Sequence, residues 1–263
     1  SHVSQLCSDH QNHIVPRTVA YNQVVKQIPD DILSKYLNKT CSSWNEYYQL
    51  RKTLSTQVGL YNVLEYLFNI QDRYLHRIMI GRNSGELFQF DFRPTFNKDD
   101  GLLCKQQLPF RFSRNVMNFV SPFGMQGFLL NAMSVASHGL FKNSEHLESL
   151  LRLYIRDELV SWQSISGGII DSKFSQDKAL LRSTVQQNVS DIMTKVRELS
   201  PQPPALQRGG STESGSTTAA NTTDFIPLPD PVTPLNEHIV ELIRTATSTD
   251  QLAMTLPSLH PWF

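Results

Sequence analysis

Several features that would place this chain in a common class of protein are absent from its sequence. Its three cysteines, Cys7, Cys41 and Cys104, are odd in number and widely spaced, which favours a reducing compartment over a secreted disulfide scaffold. Lysine plus arginine (24) equals aspartate plus glutamate (24), so no overall electric field indicates nucleic acid or an anionic membrane as a partner. No run of about 18 apolar residues could span a bilayer, and the N-terminus lacks the apolar stretch of a signal peptide. We therefore expect a nuclear or cytosolic protein with no membrane and no direct nucleic-acid partner.

Sequence motifs for a metal site or a nucleophile are also missing. Cys7, His10 and His13 have a spacing that could hold a metal ion, but no second pair of ligands follows as in a zinc finger. The chain has no Gly-x-Ser-x-Gly motif, the turn that exposes the serine nucleophile of many hydrolases. We expect a polar loop around Cys7, with neither a metal ion nor another cofactor.

The sequence does contain several amphipathic helical patterns. In one of them apolar residues recur every three or four positions, as in a helix that packs one face against a core; they are Leu54, Val58, Tyr61, Leu64 and Phe68. Similar stripes predict helices over residues 144–162 and 185–199. After the first stripe, a short apolar run, the turn GRNSG and the alternating sequence ELFQFDF predict a β-hairpin with Phe88, Phe90 and Phe92 on one face.

The composition changes in the C-terminal part of the chain. Residues 200–234 hold seven of the fourteen prolines and few apolar residues, so burial would not offset the entropy of ordering them, and we predict a disordered linker. Beyond it, an apolar stripe from Leu235 to Ala246 predicts an amphipathic helix, and the apolar sequence TLPSLHPWF follows. We expect this tail to be docked, because it would promote aggregation if exposed. Since the chain starts with Ser1, we expect it to begin inside a longer polypeptide. We expect its last residues, LHPWF, to be a native terminus.

The stretch most informative about function covers residues 68–96, FNIQDRYLHRIMIGRNSGELFQFDFRPTF. Phosphoryl transfer needs an aspartate that orients the attacking hydroxyl, together with an asparagine and a second aspartate that hold magnesium ions. The stretch resembles the catalytic segment of the phosphatidylinositol 3-kinase-related kinases, which reads G-D-R-H-x-x-N and continues through a hairpin to D-F-G. Asp72 and Asp91 occupy the two aspartate positions. Tyr74 replaces the histidine, Arg77 replaces the metal-binding asparagine, and Arg93 replaces the glycine of D-F-G.

Arg77 is the replacement with the largest expected consequence, because it puts a permanent positive charge where the resemblance implies a magnesium ion. At about 4 Å and an effective dielectric constant of about 20, this charge opposes a divalent cation by at most about 8 kcal/mol. Arg93 adds a side chain where the active loop uses the conformational freedom of glycine. The chain also lacks a glycine-rich phosphate loop followed by a strand lysine, although both would lie in an N-terminal lobe. We expect metal binding to be strongly disfavoured.

Within this family the chain resembles the TRRAP-type pseudokinases, the large scaffold subunits of histone acetyltransferase co-activators. Leu108 to Ser113 resemble the segment V-P-F-R-L-T that follows the activation loop of the family, and the C-terminal residues resemble its FATC tail. The segments that carry the resemblance are NHIVPRTV (12–19), WNEYYQLRKTLSTQVGL (44–60), LPFRFSRNV (108–116), LRLYIRDELVSW (151–162) and LHPWF (259–263).

The resemblance implies an α+β fold with a protein-kinase-like C-terminal lobe, mostly helical with a small β-hairpin, and a short helical FATC tail. We assign residues 1–20 to an irregular leading segment, 21–199 to the lobe with its degenerate catalytic loop at 68–96, 200–234 to the linker and 235–263 to the tail. Within the tail, Leu259, Trp262 and Phe263 are the residues expected to dock on the lobe.

The function implied by the resemblance is that of a non-catalytic nuclear scaffold in SAGA and NuA4-type histone acetyltransferase complexes, with roles in transcription regulation, chromatin and DNA repair. Its expected partners are the other subunits of such complexes and transcription activators, the latter mainly through upstream regions. Asp72 and Asp91 also support an active Ser/Thr kinase of the same family, and a pseudokinase that binds nucleotide without turnover is a third reading. On the residues alone, Asp72 could also be a structural carboxylate.

Overall fold

The computed structural model describes residues 14–70, 73–90, 92, 94, 108–120, 127–165, 178–200, 236–255 and 259–262. Helices dominate this part of the chain, with one antiparallel two-stranded sheet. The helices are α1 (Ile14–Gln27), α2 (Ile32–Thr40), α3 (Trp44–Leu67), α4 (Arg114–Val120), α5 (Phe128–Lys142), α6 (Ser144–Ile165), α7 (Lys178–Leu199), α8 (Glu237–Thr247) and α9 (Thr249–Met254). The strands are β1 (Ile78–Ile80) and β2 (Leu87–Gln89), and a 3₁₀ turn at Leu75–Arg77 precedes β1.

Helix α3 is the central element, and it begins well before the apolar stripe seen in the sequence. The Ser43 hydroxyl accepts a hydrogen bond from the backbone N–H of Glu46 at 3.3 Å, and the Glu46 carboxylate accepts one from the N–H of Ser42 at 2.8 Å. These two bonds satisfy amide groups that have no partner within the helix, so the helix starts at Trp44.

Helix α5 packs along α3 at short range. At Gly59 of α3, an added Cβ would lie 2.7 Å from the carbonyl oxygen of Leu129 and 3.1 Å from the Cβ of Ala132. Because real Cβ atoms do not approach backbone oxygen so closely, only glycine permits this helix spacing. The buried residues Leu54, Leu129 and Met133 then form the centre of the core.

The tail helix α8 packs on the lobe against α5 and α7. Its Ile239, Ile243 and Ala246 are buried, and their three- and four-residue spacing is the stripe recognised in the sequence. Asn236 caps the helix by accepting a hydrogen bond from the N–H of His238 at 2.9 Å. The predicted linker, residues 200–234, lies outside the described residues except for Ser200.

The predicted boundary of the leading segment is corrected by the structure. Residues 14–20 belong to helix α1, so the irregular assignment of residues 1–20 is wrong for them. Pro16 does not prevent this helix, because it lies in the first turn, where a missing N–H removes no hydrogen bond. Helix α1 packs against α9 of the tail, a long-range contact that no local pattern in the sequence indicates. Residues 1–13 lie outside the described part of the chain.

Candidate functional site

The described residues include part of the predicted site. Tyr74, Arg77, Leu259 and Trp262 are described, whereas Asp72, Asp91, Arg93 and Phe263 lie outside the described residues. The geometry of the predicted catalytic loop is therefore described from its 3₁₀ turn, the hairpin and the side chains that surround them.

Tyr74 and Arg77 lie together at this turn. The Arg77 guanidinium is 5.3 Å from the centroid of the Tyr74 ring, within the range of a cation–π interaction. His76 stacks on the same ring, with centroids 5.3 Å apart and planes at 23°. The residues at the family's histidine and asparagine positions therefore contact each other, and the positive charge of Arg77 stays beside the loop.

Next to this turn, Arg73 and Glu65 form a buried ion pair. Arg73 Nε lies 3.3 Å from Glu65 Oε2, with both side chains less than one-twentieth exposed. The Arg73 guanidinium also donates to the carbonyl oxygens of Leu108, at 3.3 Å, and Pro109, at 3.1 Å. Burial lowers the pKa of Arg73, and Glu65 opposes that shift. The pair holds the loop between α3 and the segment that leads into α4.

Glu65 accepts two further hydrogen bonds. The backbone N–H of Arg111 donates to Oε2 at 2.8 Å, and the Gln89 amide donates to Oε1 at 2.6 Å. One carboxylate at the end of α3 thus joins the 3₁₀ turn, strand β2 and the 108–112 segment. A buried carboxylate costs free energy unless it is paired and hydrogen-bonded, and these donors meet that requirement.

The Arg111 guanidinium extends this network to the tail. It donates to the carbonyl oxygen of Arg73 at 3.1 Å, to that of Leu259, and to that of His260 at 3.3 Å. Burial lowers the pKa of Arg111 to about 10. Leu259 is buried, and the Trp262 ring meets His260 edge to face with centroids 5.9 Å apart. The Arg111 side chain therefore binds both the backbone of the tail and the backbone of Arg73, the residue that follows Asp72.

The hairpin presents two different faces. Its register pairs Ile78 with Gln89 and Ile80 with Leu87, and these residues face the α3 side. The alternate residues Met79 and Phe88 are 56% and 52% exposed. Phe90 is also half exposed, whereas Phe92 packs edge to face on Phe68 at 5.5 Å.

A second group of polar side chains lies where α8 meets α3 and α7. The Tyr66 hydroxyl is 3.3 Å from both Glu198 Oε2 and His238 Nε2, which are 3.9 Å from each other. Lys195 donates to the Tyr66 carbonyl at 2.6 Å, and its ammonium group lies 4.8 Å from the ring centroid. Burial raises the pKa of Tyr66 to about 12, and the Glu198 charge adds to that rise. The start of the tail helix is thus in contact with a phenol that stays protonated at neutral pH.

Among the described residues, no group of three or more histidine, cysteine, aspartate or glutamate side chains could hold a metal ion. No helix in the described part of the chain has the length and hydropathy needed to cross a bilayer.

A comparison with protein families matches residues 2–164 to the family described as phosphatidylinositol 3- and 4-kinase. The chain belongs to this family. A solved structure of the FAT and kinase domain of CtTel1 shares the fold, with a TM-score of 0.66 and 14% identity over 99% of this chain and 16% of that one. The predicted fold class, mostly helical with a small hairpin, is confirmed.

The similar curated proteins include a subunit of the SAGA and NuA4 acetyltransferase complexes, TRA1 of Saccharomyces cerevisiae. It is 24% identical over an alignment of 255 positions that covers 90% of this chain and 6% of the relative. The transformation/transcription domain-associated protein of Homo sapiens is 24% identical over an alignment of 259 positions that covers 95% of this chain and 6% of that protein. The serine/threonine-protein kinase SMG1 of Danio rerio is 23% identical over 140 residues, 53% of this chain and 4% of the kinase. The chain therefore spans only a small fraction of each relative, and the resemblance to TRRAP-type members is confirmed.

The Glu65–Arg111 network is the part of the site that the sequence analysis missed. Arg111 was seen only as part of the resemblance at residues 108–116, and Glu65 was not singled out. One signal was available, because Glu65 is the one charged residue in the sequence from Val63 to Ile70. A lone carboxylate in such a run is either a surface residue or a buried one with a partner, and the sequence does not distinguish these cases.

Proposed function

We propose that this chain is the kinase-like C-terminal lobe of a non-catalytic scaffold subunit in a nuclear histone acetyltransferase complex of the SAGA or NuA4 type. The observation that carries the non-catalytic part is the position of Arg77. Its guanidinium stays beside Tyr74 in the turn that, by resemblance, would supply the magnesium-binding asparagine. A fixed positive charge there repels a divalent cation, so we expect no magnesium ion to bind at this loop.

The scaffold part of the proposal is supported by the relatives that match nearly the whole chain. Two of them are TRA1, named as a subunit of SAGA and NuA4, and the human transformation/transcription domain-associated protein. In this proposal the lobe contacts other subunits of the complex, and activators bind mainly to regions outside this chain. The complex would then act in transcription regulation, chromatin modification and DNA repair. We also propose residues 200–234 as a flexible linker between the lobe and the docked tail.

An active Ser/Thr kinase is the second candidate. Asp72 and Asp91 retain the two aspartate positions of the family pattern, and the SMG1 kinase of Danio rerio matches about half of the chain. Tyr74, Arg77 and Arg93 all depart from that pattern, which is why this candidate ranks second.

Calorimetric titration of the full-length protein with Mg-ATP tests the non-catalytic proposal. We expect no magnesium-dependent heat from the wild type, and weak magnesium-dependent binding from Arg77→Asn if the two aspartates are placed to accept the ion. Arg82→Asn is the matched control, since Arg82 is an exposed arginine in the nearby hairpin turn. Saturable Mg-ATP binding by the wild type, together with phosphate transfer to a protein substrate, would establish the kinase instead.

Affinity purification from nuclear extract tests the scaffold part separately. We expect the full-length protein to co-purify with histone acetyltransferase activity, to the same extent in the wild type and Arg77→Asn. Purification without acetyltransferase activity would contradict the scaffold proposal while leaving the Mg-ATP result unaffected.

A further inference from the structure

A cavity of about 310 Å³ lies between helix α3 and the hairpin. Leu54 and Val58 of α3 form one wall, and Ile78 and Ile80 of β1 form the opposite one. Because side chains alternate across a strand, this is the sheet face opposite to the exposed Met79. Val116 and Phe119 of α4, among other residues, also line the cavity.

The charged groups that line this cavity are already paired with protein atoms. Glu65 accepts hydrogen bonds from Gln89 and from the Arg111 backbone, and the Arg111 guanidinium donates to three carbonyl groups. Asn115 accepts a hydrogen bond from the N–H of Leu33 at 3.3 Å. A charged molecule would lose its hydration here without gaining a counter-ion, so the cavity favours an uncharged occupant.

Asn62 adds a polar feature to the apolar wall. It lines the cavity, is 2% exposed, and its amide Nδ2 has no hydrogen-bond partner among the described residues. A buried amide N–H without an acceptor costs free energy, and an acceptor on a bound molecule would remove that cost. Asn62 therefore selects a molecule that carries a hydrogen-bond acceptor.

We propose that this cavity binds a small, uncharged and mainly apolar molecule with one hydrogen-bond acceptor, which pairs with the side-chain amide of Asn62. The volume is sufficient, because an apolar cavity of about 150 Å³ already admits benzene. Most of the binding free energy comes from burial of the molecule against the aliphatic walls, and the acceptor gives selectivity. The site lies on the opposite side of the hairpin from Met79 and Phe88, and Tyr74 and Arg77 of the predicted catalytic pattern do not line it.

Propiophenone and propylbenzene are a matched pair of probes, since they have nearly the same size and differ in one carbonyl group. The test uses the 263-residue chain with labelled isoleucine methyl groups and follows their NMR shifts during titration. We expect both probes to shift the δ1 methyl signals of Ile78 and Ile80, with saturation, and to leave Ile155 of α6 unchanged. The absence of shifts at Ile78 and Ile80, or equal shifts at Ile155, would overturn the proposal.

Variants of Asn62 test the role of its amide. Asn62→Leu should weaken propiophenone binding by at least about fivefold and change propylbenzene binding by less than about twofold. Asn131→Leu, at an exposed position of α5, should change neither. Equal effects of Asn62→Leu on both probes, or no effect on either, would refute the hydrogen bond. If Asn62→Leu does not fold, Val116→Phe replaces it: the added ring occupies the cavity and should weaken both probes, and unchanged affinity would overturn the site.

Discussion

Replacement of Arg111 by methionine should loosen the tail without removing the hydrophobic core. The Arg111 guanidinium donates to the carbonyls of Arg73, Leu259 and His260, so it connects the predicted catalytic loop to the tail. Methionine has similar length and no donor, so Arg111→Met leaves three carbonyl groups to find water. The hydrogen bond from the backbone N–H of residue 111 to Glu65 is not removed by this change.

The expected loss of stability can be worked out from these contacts. A hydrogen bond from a charged donor contributes about 2 kcal/mol, so three contribute roughly 6 kcal/mol. Burial lowers the pKa of Arg111 from 12.5 to about 10. At about 1.4 kcal/mol per pKa unit, keeping this side chain charged in the folded state costs about 3 kcal/mol. The net contribution is therefore about 3 kcal/mol, of which about 2 kcal/mol belongs to the two hydrogen bonds that hold the tail.

Urea unfolding of the full chain and of a chain that ends at Thr255 measures how much of this contribution depends on the tail. Arg111→Met should lower the free energy of unfolding by about 3 kcal/mol in the full chain and by about 1 kcal/mol in a chain that ends at Thr255. Arg111→Lys should fall between wild type and Arg111→Met, because an ammonium group cannot reach three carbonyls as a planar guanidinium does. Arg82→Met, at an exposed arginine, should have little effect. Equal losses in the two chain lengths would show that Arg111 does not hold the tail and would refute the reasoning.

Three further predictions concern the buried ion pair, two glycines and the tyrosine beside the tail helix. Glu65→Gln should lower the free energy of unfolding in urea by roughly 3–5 kcal/mol, because the charge of Arg73 stays buried without its partner. Adding Arg73→Met should recover part of that loss. A loss below about 1 kcal/mol would show that the pair is hydrated. Gly85→Ala should destabilise by at least about 2 kcal/mol, because the residue has φ of 72° and its Cβ would lie 2.5 Å from a backbone oxygen. Gly139→Ala should instead raise Tm, because Gly139 lies in a helix and has open space around its Cα. A higher Tm for Gly85→Ala than for Gly139→Ala would contradict both predictions. The pKa of Tyr66 in the folded state, about 12, lies above its ordinary value of 10.0. The contribution of this tyrosine to stability should therefore be complete below pH 10 and lost as the pH rises through 12. Thermal unfolding at alkaline pH should show this loss in the wild type and not in Tyr66→Phe.

The helices could be predicted because their burial follows a local period. The stripe from Leu54 to Phe68 indicates α3, and the stripe ending at Leu199 indicates α7, whose Val189, Ile192 and Val196 are buried. The capping pattern of Ser43 and Glu46 is also local, and it would have placed the start of α3.

The tertiary contacts of the site could not be predicted in this way. Glu65 meets Arg111 across 46 positions of sequence, and Arg111 meets Leu259 across 148. The apolar periodicity of each of these segments does not indicate which other segment it contacts. The hairpin is a second example. The alternating pattern of apolar residues puts Phe88 and Phe90 on one face of the hairpin, but it does not predict whether that face is buried; in the structure both side chains are half exposed.

The charges at the predicted catalytic loop give a physical reason for the proposal that this fold is kept without kinase chemistry. Among the described residues, Glu65 pairs with the guanidinium group of Arg73 and accepts a hydrogen bond from the backbone N–H of Arg111, while the guanidinium group of Arg77 lies at the adjacent turn. In the sequence of residues 68–96, three carboxylates (Asp72, Glu86 and Asp91) stand against four arginines (Arg73, Arg77, Arg82 and Arg93). A divalent cation is held where carboxylates are in excess, and this stretch has no such excess. Hydrogen bonds and an ion pair between protein groups hold Arg73 to α3 and to the 108–112 segment, and Arg111 of that segment holds the tail; these contacts require no metal.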